Sequence, residues 1–174
     1  MDAKTRRNII LETISTATLP LTASTLAERL EVSRQIIVGD VALLRAQGHD
    51  IIATARGYVM YSTLAMDKGS FIGKIACQHT AQDTFTELSM IVNAGAAVVN
   101  VIIDHDLYGE ITGQLNITTK EDVAQFVENL NKSQVKLLSE LKGGVHLHTI
   151  ACQDKAHFDR VYGLLEDAGF IYAN

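Results

Sequence analysis

The hydrophobic pattern of this 174-residue chain changes once, between Ser62 and Lys68. Before the change, apolar residues recur every three or four positions in three short runs, and then alternate briefly. After it, strand-like and helix-like runs take turns to the end. A single layered core does not accommodate such a switch well, so the pattern predicts two small domains, residues 1–62 and 63–174.

The first region reads as three helices and a hairpin. Lys4 to Ser15 carries Ile9, Ile10 and Ile14 at helical spacing, and Pro20 stops that helix. TASTLAERL offers Thr22 as an N-cap, with Leu26, Ala27 and Leu30 on one face. EVS is a tight turn. SRQIIVGDVALLRAQG is a third helix, capped by Ser33 and ended by Gly48, with Ile37, Val41 and Leu44 inward. HDIIATARGYVMY then forms two strands around a turn at Ala55 to Gly57.

Two short helices across a tight turn, followed by a hairpin with a basic tip, make a winged helix-turn-helix. The start of the third helix presents Ser33, Arg34 and Gln35. Arg34 suits guanine or a phosphate, Gln35 suits adenine, and Ser33 with the free backbone N–H groups suits a phosphate. Arg56 at the wing tip and Arg45 further along the helix are further candidates for the DNA backbone. These residues predict binding to double-stranded operator DNA. A helical protein-interaction module with surface arginines is the alternative. LAERLEVSRQIIVGDVALLRAQGHDIIATARGY resembles the winged-helix domain that begins many bacterial repressors and the bifunctional biotin ligases. Gly39 departs from that pattern, where a long polar residue is common. The ligase reading fails because too little chain follows the wing.

Charge separates the two regions as well. Residues 1–62 hold seven Lys/Arg and six Asp/Glu; residues 63–174 hold eight and fourteen. The acidic second region is a poor partner for nucleic acid. Two cysteines make no disulfide framework. No apolar run is long enough to span a membrane, and the start of the chain lacks a signal-peptide pattern, so a cytoplasmic location is expected.

The second region alternates strand and helix: SFIGKIACQHT, then DTFTELSMIVNAG, AVVNVIIDH, EITGQLNIT, KEDVAQFVENLNKS behind a Thr118/Thr119 cap, VHLHTIAC, KAHFDRVYGLLEDAG and a last short strand FIYAN. The expected fold is an α+β open-faced sandwich, with helices on one face of a sheet. His146 and His148 lie two apart in a strand, so they share a face, about 6.6 Å apart. A core face favours Val or Leu there, and a solvent face favours Lys or Thr. A metal explains both imidazoles. His79 ends another strand, and Glu87 lies on the next helix. Together these give three nitrogens and a carboxylate, which suits Zn, Ni, Fe(II), Co or Mn. Cys77 and Cys152 share faces with His79 and His148. Either is an alternative thiolate ligand, although Cys152 lies about 13 Å beyond His148 along an extended strand. Both read more simply as core residues. His49 and His157 read as structural or surface residues. DHDLYGEI places His105 and Tyr108 at a strand end, a common place for a ligand pocket.

GKIACQHT with Glu87 following, DHDLYGEI and GGVHLHTI resemble, in order, the motifs of the three-histidine (3H) domain. Behind a winged helix, that domain is similar to the niacin-responsive transcription repressors of NAD biosynthesis and niacin uptake. The resemblance runs from about Thr5 to Phe170. It implies a homodimeric repressor and not an enzyme, with nicotinic acid as co-repressor. It also implies one transition metal ion per chain, nickel or zinc foremost, held by His79, Glu87, His146 and His148. Effector contacts would come from His79, His105 and Tyr108. Asp106 stands where the family's second histidine motif often has proline. Two rivals fit the same donors: a metal-dependent hydrolase with water in an open position, and a structural zinc module for dimerisation.

Overall fold

The protein is described by a computed structural model covering residues 1–63 and 71–173. The chain divides into two compact units, Met1–Ala65 and Met66–Asn174. Leu64 to Lys68, part of the stretch where the pattern changes, lies outside the described residues.

In the first unit, α1 (Ala3–Thr16), α2 (Ala23–Leu30) and α3 (Arg34–Ala46) precede a hairpin of β1 (Ile51–Thr54) and β2 (Gly57–Met60). Each helix starts where a side chain satisfies backbone amides: Asp2, Thr22 and Ser33 accept from Lys4 and Thr5, Thr25 and Ile36 respectively. The turn between α2 and α3 runs through Glu31 in the left-handed conformation, with φ 54°. Ile10, Ile14, Leu26, Ile37, Val41, Leu44 and Ile51 form the core. One buried residue breaks that apolar pattern. Asp40 on α3 accepts from Arg6 Nε at 2.6 Å and pairs with Arg7 Nη1 at 3.4 Å, tying α3 to α1.

The wing is tied back to the helices. Leu21 and Tyr58 exchange two backbone hydrogen bonds of 2.8 Å, which brings the start of β2 against the chain leading into α2. Gly57 makes this approach possible. Its φ is +127°, and a Cβ there would meet the Leu21 carbonyl carbon at 2.5 Å.

The second unit is a four-stranded antiparallel sheet in the order β3–β6–β4–β5, formed by β3 (Phe71–Gln78), β4 (Ala97–His105), β5 (Gly109–Ile117) and β6 (Val145–Cys152). Helices α4 (Thr84–Asn93), α5 (Lys120–Lys132) and α6 (Lys155–Asp167) pack on one face. The core joins Ile75 and Cys77 of β3, Ile150 and Cys152 of β6, and Val98, Leu115 and Ile117 to Leu88, Ile91, Val123, Val161 and Leu165 of the helices. This is the α+β open-faced arrangement read from the alternation. Thr119 caps α5 through a reciprocal capping box with Asp122.

The expected last strand at residues 170–174 is a correction. Among its described residues, Ile171 makes a single bridge to Cys77 at the outer edge of β3, flanked by two backbone hydrogen bonds. Gly169, at φ +77°, follows α6 and turns the chain toward that edge. Of the two readings of His157, structural or surface, the structural one holds: it is buried, its Nδ1 accepts from Gln153 N and its Nε2–H donates to the Ala94 carbonyl at 2.6 Å.

A Gly57→Ala substitution combines an unfavourable φ with a backbone clash. It is expected to destabilise the first unit by about 2 kcal/mol or more. Chemical denaturation checks this, and an unshifted midpoint would contradict the tight wing contact.

Candidate metal centre

Antiparallel pairing brings the histidine motifs together. Cys77 on β3 stands opposite His146 on β6, and Ile75 stands opposite His148. On the other side of β6, His148 pairs with Val101 of β4. His146 and His148 therefore project from the central part of the sheet toward the helices. His79 lies one residue beyond β3, next to the turn that starts α4. Glu87, on the first turn of α4, points down into the same space and is 1% exposed.

The four side chains converge. His79 Nε2 is 2.6 Å from Glu87 Oε2, His146 Nε2 is 3.3 Å from Oε1, and His148 Nε2 is 3.4 Å from Oε2. The other ring nitrogens are all engaged. Nδ1 of His79, His146 and His148 each lies 2.8 Å from a backbone carbonyl, those of Thr80, Gly144 and Asn100. A carbonyl oxygen can only accept, so each Nδ1 carries its proton and donates it. Each Nε2 is then either a bare lone pair or a protonated donor facing the carboxylate.

Local backbone irregularities supply these acceptors. β4 carries a bulge at Val98–Asn100, and the Asn100 carbonyl at that irregularity accepts from His148 Nδ1–H. Gly144, at φ +88°, precedes β6; a Cβ on it would meet the His79 carbonyl oxygen at 2.3 Å. A side chain at 144 would thus push the His79 turn away from the start of β6.

The electrostatics follow from burial and convergence. Burial raises the pKa of Glu87, but the charge of His148 and hydrogen bonds from His146, His148 and His79 outweigh it and hold the carboxyl well below its ordinary value. Burial lowers the pKa of His79 and His148, yet their contact with Glu87 prevails and raises both. Three imidazole nitrogens around one buried carboxylate require positive charge among them, as protons or as a cation. The donor set fits a borderline divalent ion, and the carbonyl-bound Nδ1–H groups are the usual outer partners of metal-bound histidine.

Cys77 borders the cluster. Its sulfur and donor atoms of Glu87 and His146 all lie within 4.8 Å of one another. Burial, and then the charge of Glu87, push its thiol pKa up, which favours an S–H donor over a thiolate. Cys152 is buried in the core.

Beside the cluster is a cavity of about 30 Å³, bordered by His79, Glu87, His146 and His148. Val101, Leu115, Phe126 and Leu138 make most of its apolar wall, and Thr84 and Ser139 also line it. Spacing in the sequence marks none of these six, since they come from five separate segments.

His105 and Tyr108 do not line this cavity. They sit on the β4–β5 turn, where His105 Nδ1 accepts from Leu107 N and Tyr108 N at 3.2 and 3.4 Å. The two rings stack at 5.1 Å, and Tyr108 is 73% exposed. Asp106 pairs with Lys142, which balances the charge that replaces the expected proline. The candidate effector set is therefore split: His79 borders the cavity, while the other two form an exposed turn.

In the first unit, Ser33, Arg34, Gln35 and Arg45 are all exposed on α3. The Ser33 hydroxyl is engaged as the cap, accepting from Ile36 N at 3.3 Å. Arg56 occupies the β1–β2 turn, half-buried, with its backbone N–H on Thr54 Oγ1. None of the helices among the described residues is long and apolar enough to cross a membrane.

Comparison with known proteins agrees with both units. Residues 6–59 match the HTH domain and residues 72–174 match the 3H domain. The chain is 37% identical over 166 residues to the transcription repressor NadR of Bacillus subtilis, covering 95% of this chain and 92% of that protein. It is 40% identical over 152 residues to the probable transcription repressor NiaR of Thermotoga maritima, covering 87% of this chain and 85% of the relative. With both domains matched in order and such similarity along nearly its whole length, the chain belongs to the 3H-domain family, in the branch that carries an N-terminal helix-turn-helix.

Proposed function

We propose that this protein is a metal-containing transcription repressor that binds operator DNA as a homodimer, with nicotinic acid as its co-repressor. It works in the cytoplasm and controls genes of NAD biosynthesis or niacin uptake. The observation that carries the reading is the convergence of three Nε2 atoms on Glu87 with every Nδ1–H already committed to a carbonyl. The relatives that cover most of the chain are named transcription repressors, which supports a regulator and not an enzyme. The effector itself comes from the resemblance to niacin-responsive repressors.

His79, Glu87, His146 and His148 are the ligands of one transition metal ion, nickel or zinc foremost. When bound, the ion supplies a fixed positive centre toward which an anionic effector can turn its carboxylate. The chain's own residues do the rest. The carbonyls of Thr80, Gly144 and Asn100 fix the tautomers, and the apolar walls exclude water from the neighbouring space. Ser33, Arg34 and Gln35 read the operator groove, with Arg45 and Arg56 on the DNA backbone. The effector acts by binding unequally to two dimer geometries that differ in the spacing of the recognition helices.

In a gel shift on the cognate operator, nicotinate is expected to tighten binding about five- to a hundredfold. An operator affinity indifferent to nicotinate would reject the co-repressor role. His146→Ala and His148→Ala are each expected to take metal content from about one ion per chain to a small fraction of that. Elemental analysis of purified protein checks this, and undiminished metal would remove those residues from the ligand set.

The pH dependence has a definite sign. In chelator-treated protein, the raised pKa values of His79 and His148 give stability that is complete below the ordinary imidazole value and is lost as pH rises through the raised ones. The contribution of Glu87 is complete above the ordinary carboxylate value and is lost as pH falls through its lowered one. Chelator-treated protein should therefore melt at lower temperature as pH is taken from roughly 6 to 9. Metal-loaded protein should escape that loss, because its ligands are already deprotonated. Parallel melting curves with and without chelator would contradict the assignment.

A further inference from the structure

Thr84 opens α4 and is 6% exposed. Among the described residues, its Oγ1 is a buried side-chain oxygen with no hydrogen-bond partner. A threonine in a helix normally turns its hydroxyl onto a nearby backbone group. An unmet buried hydroxyl destabilises a fold, so it calls for an explanation. Thr84 lines the cavity beside the histidine cluster.

The surroundings define what such a hydroxyl could serve. Val101, Leu115, Phe126 and Leu138 offer apolar contact to a flat ring. The Nδ1–H groups of the three histidines are spent on carbonyls and offer nothing to a guest. A molecule with an apolar body and acceptors at its edge therefore needs a donor from elsewhere, and Thr84 O–H is unspent. A pyridine carboxylate has this chemistry, since its ring nitrogen and carboxylate are both acceptors.

We propose that the Thr84 hydroxyl is the polar anchor of the effector, donating to an acceptor of a small aromatic acid held in this cavity. The proposal rests on the reading of the protein as a nicotinate-responsive repressor and names a residue that determines its affinity. A cavity of about 30 Å³ holds one or two waters, which is less than an aromatic acid needs. Entry must displace a wall. The sheet and helix walls are held by ladders and helical hydrogen bonds, whereas residues 134–137 have no regular structure and Val135 is 64% exposed. Leu137 bonds only locally among the described residues, its N–H to Glu140 Oε2 and its carbonyl to Glu140 N. Leu137, which ends that stretch, precedes the 3-10 helix Leu138–Lys142 and lines the cavity, is thus the part of the wall that yields, and the ligand selects the opened form.

The test is calorimetric titration of nicotinate into full-length protein, as purified, for the parent, Thr84→Val and Thr84→Ser. Thr84→Val keeps the shape and removes the hydroxyl; Thr84→Ser keeps the hydroxyl. Nicotinate should bind Thr84→Val about tenfold or more weakly, and Thr84→Ser within about threefold of the parent. Metal content should be equal in all three, and ligand-free Thr84→Val should melt no lower than the parent. Equal nicotinate affinity in Thr84→Val and the parent would overturn the anchor while leaving the repressor reading intact; the hydroxyl would then serve a buried water only. A parent that binds no nicotinate would overturn both. If Thr84→Val fails to fold, the comparison passes to Thr84→Ala and Thr84→Ser. Loss of affinity in the first without the second supports the anchor, and equal affinity in both overturns it.

Discussion

Three hydrogen bonds from imidazole Nδ1–H to backbone carbonyls decide the chemistry of the second unit. They leave three Nε2 atoms turned on one carboxylate in a space almost closed to water. A lone buried carboxylate would be driven to its neutral form, and three neutral imidazoles would face it with lone pairs. The arrangement is coherent only when positive charge sits among the four groups. Each carbonyl acceptor comes from a place where the backbone departs from regular structure: the turn after β3, the glycine before β6 and the bulge in β4.

The sheet topology makes this possible. With β6 between β3 and β4, the strand carrying two histidines is flanked by the strand that delivers His79 and by the one that supplies the Asn100 carbonyl. Helices on a single face bring Glu87 onto the cluster from above and leave a small apolar cavity at its side. Charge, outer-shell acceptors and cavity are parts of one packed layer, so a change in the cavity wall bears directly on the groups that hold the charge.

The first unit shows a parallel economy on a smaller scale. Asp40 is buried only because Arg6 and Arg7 reach it from α1, and this pairing fixes the recognition helix α3 against the rest of the unit. The wing is held by two backbone bonds between Leu21 and Tyr58, across a gap that only glycine at 57 permits. Neither device touches the exposed polar residues on α3. They set the platform from which those residues project.

Much of this was legible in the chain. Helix caps at Thr22, Ser33 and Thr119, the inward residues of α3 and the alternation of the second region follow from local rules, because capping and periodicity are properties of neighbouring residues. The two histidines of VHLHTIAC announced a shared strand face for the same reason. Other features depend on strand register and on contacts far apart in sequence. Only the tertiary structure decided that His79 and Glu87 meet those histidines and that His105 and Tyr108 stay outside the cavity. The same holds for the burial of Asp40 and His157 and for the hydroxyl of Thr84, which has no partner among the described residues. Local sequence specifies which face a side chain occupies; what stands opposite that face is settled by how distant segments pack.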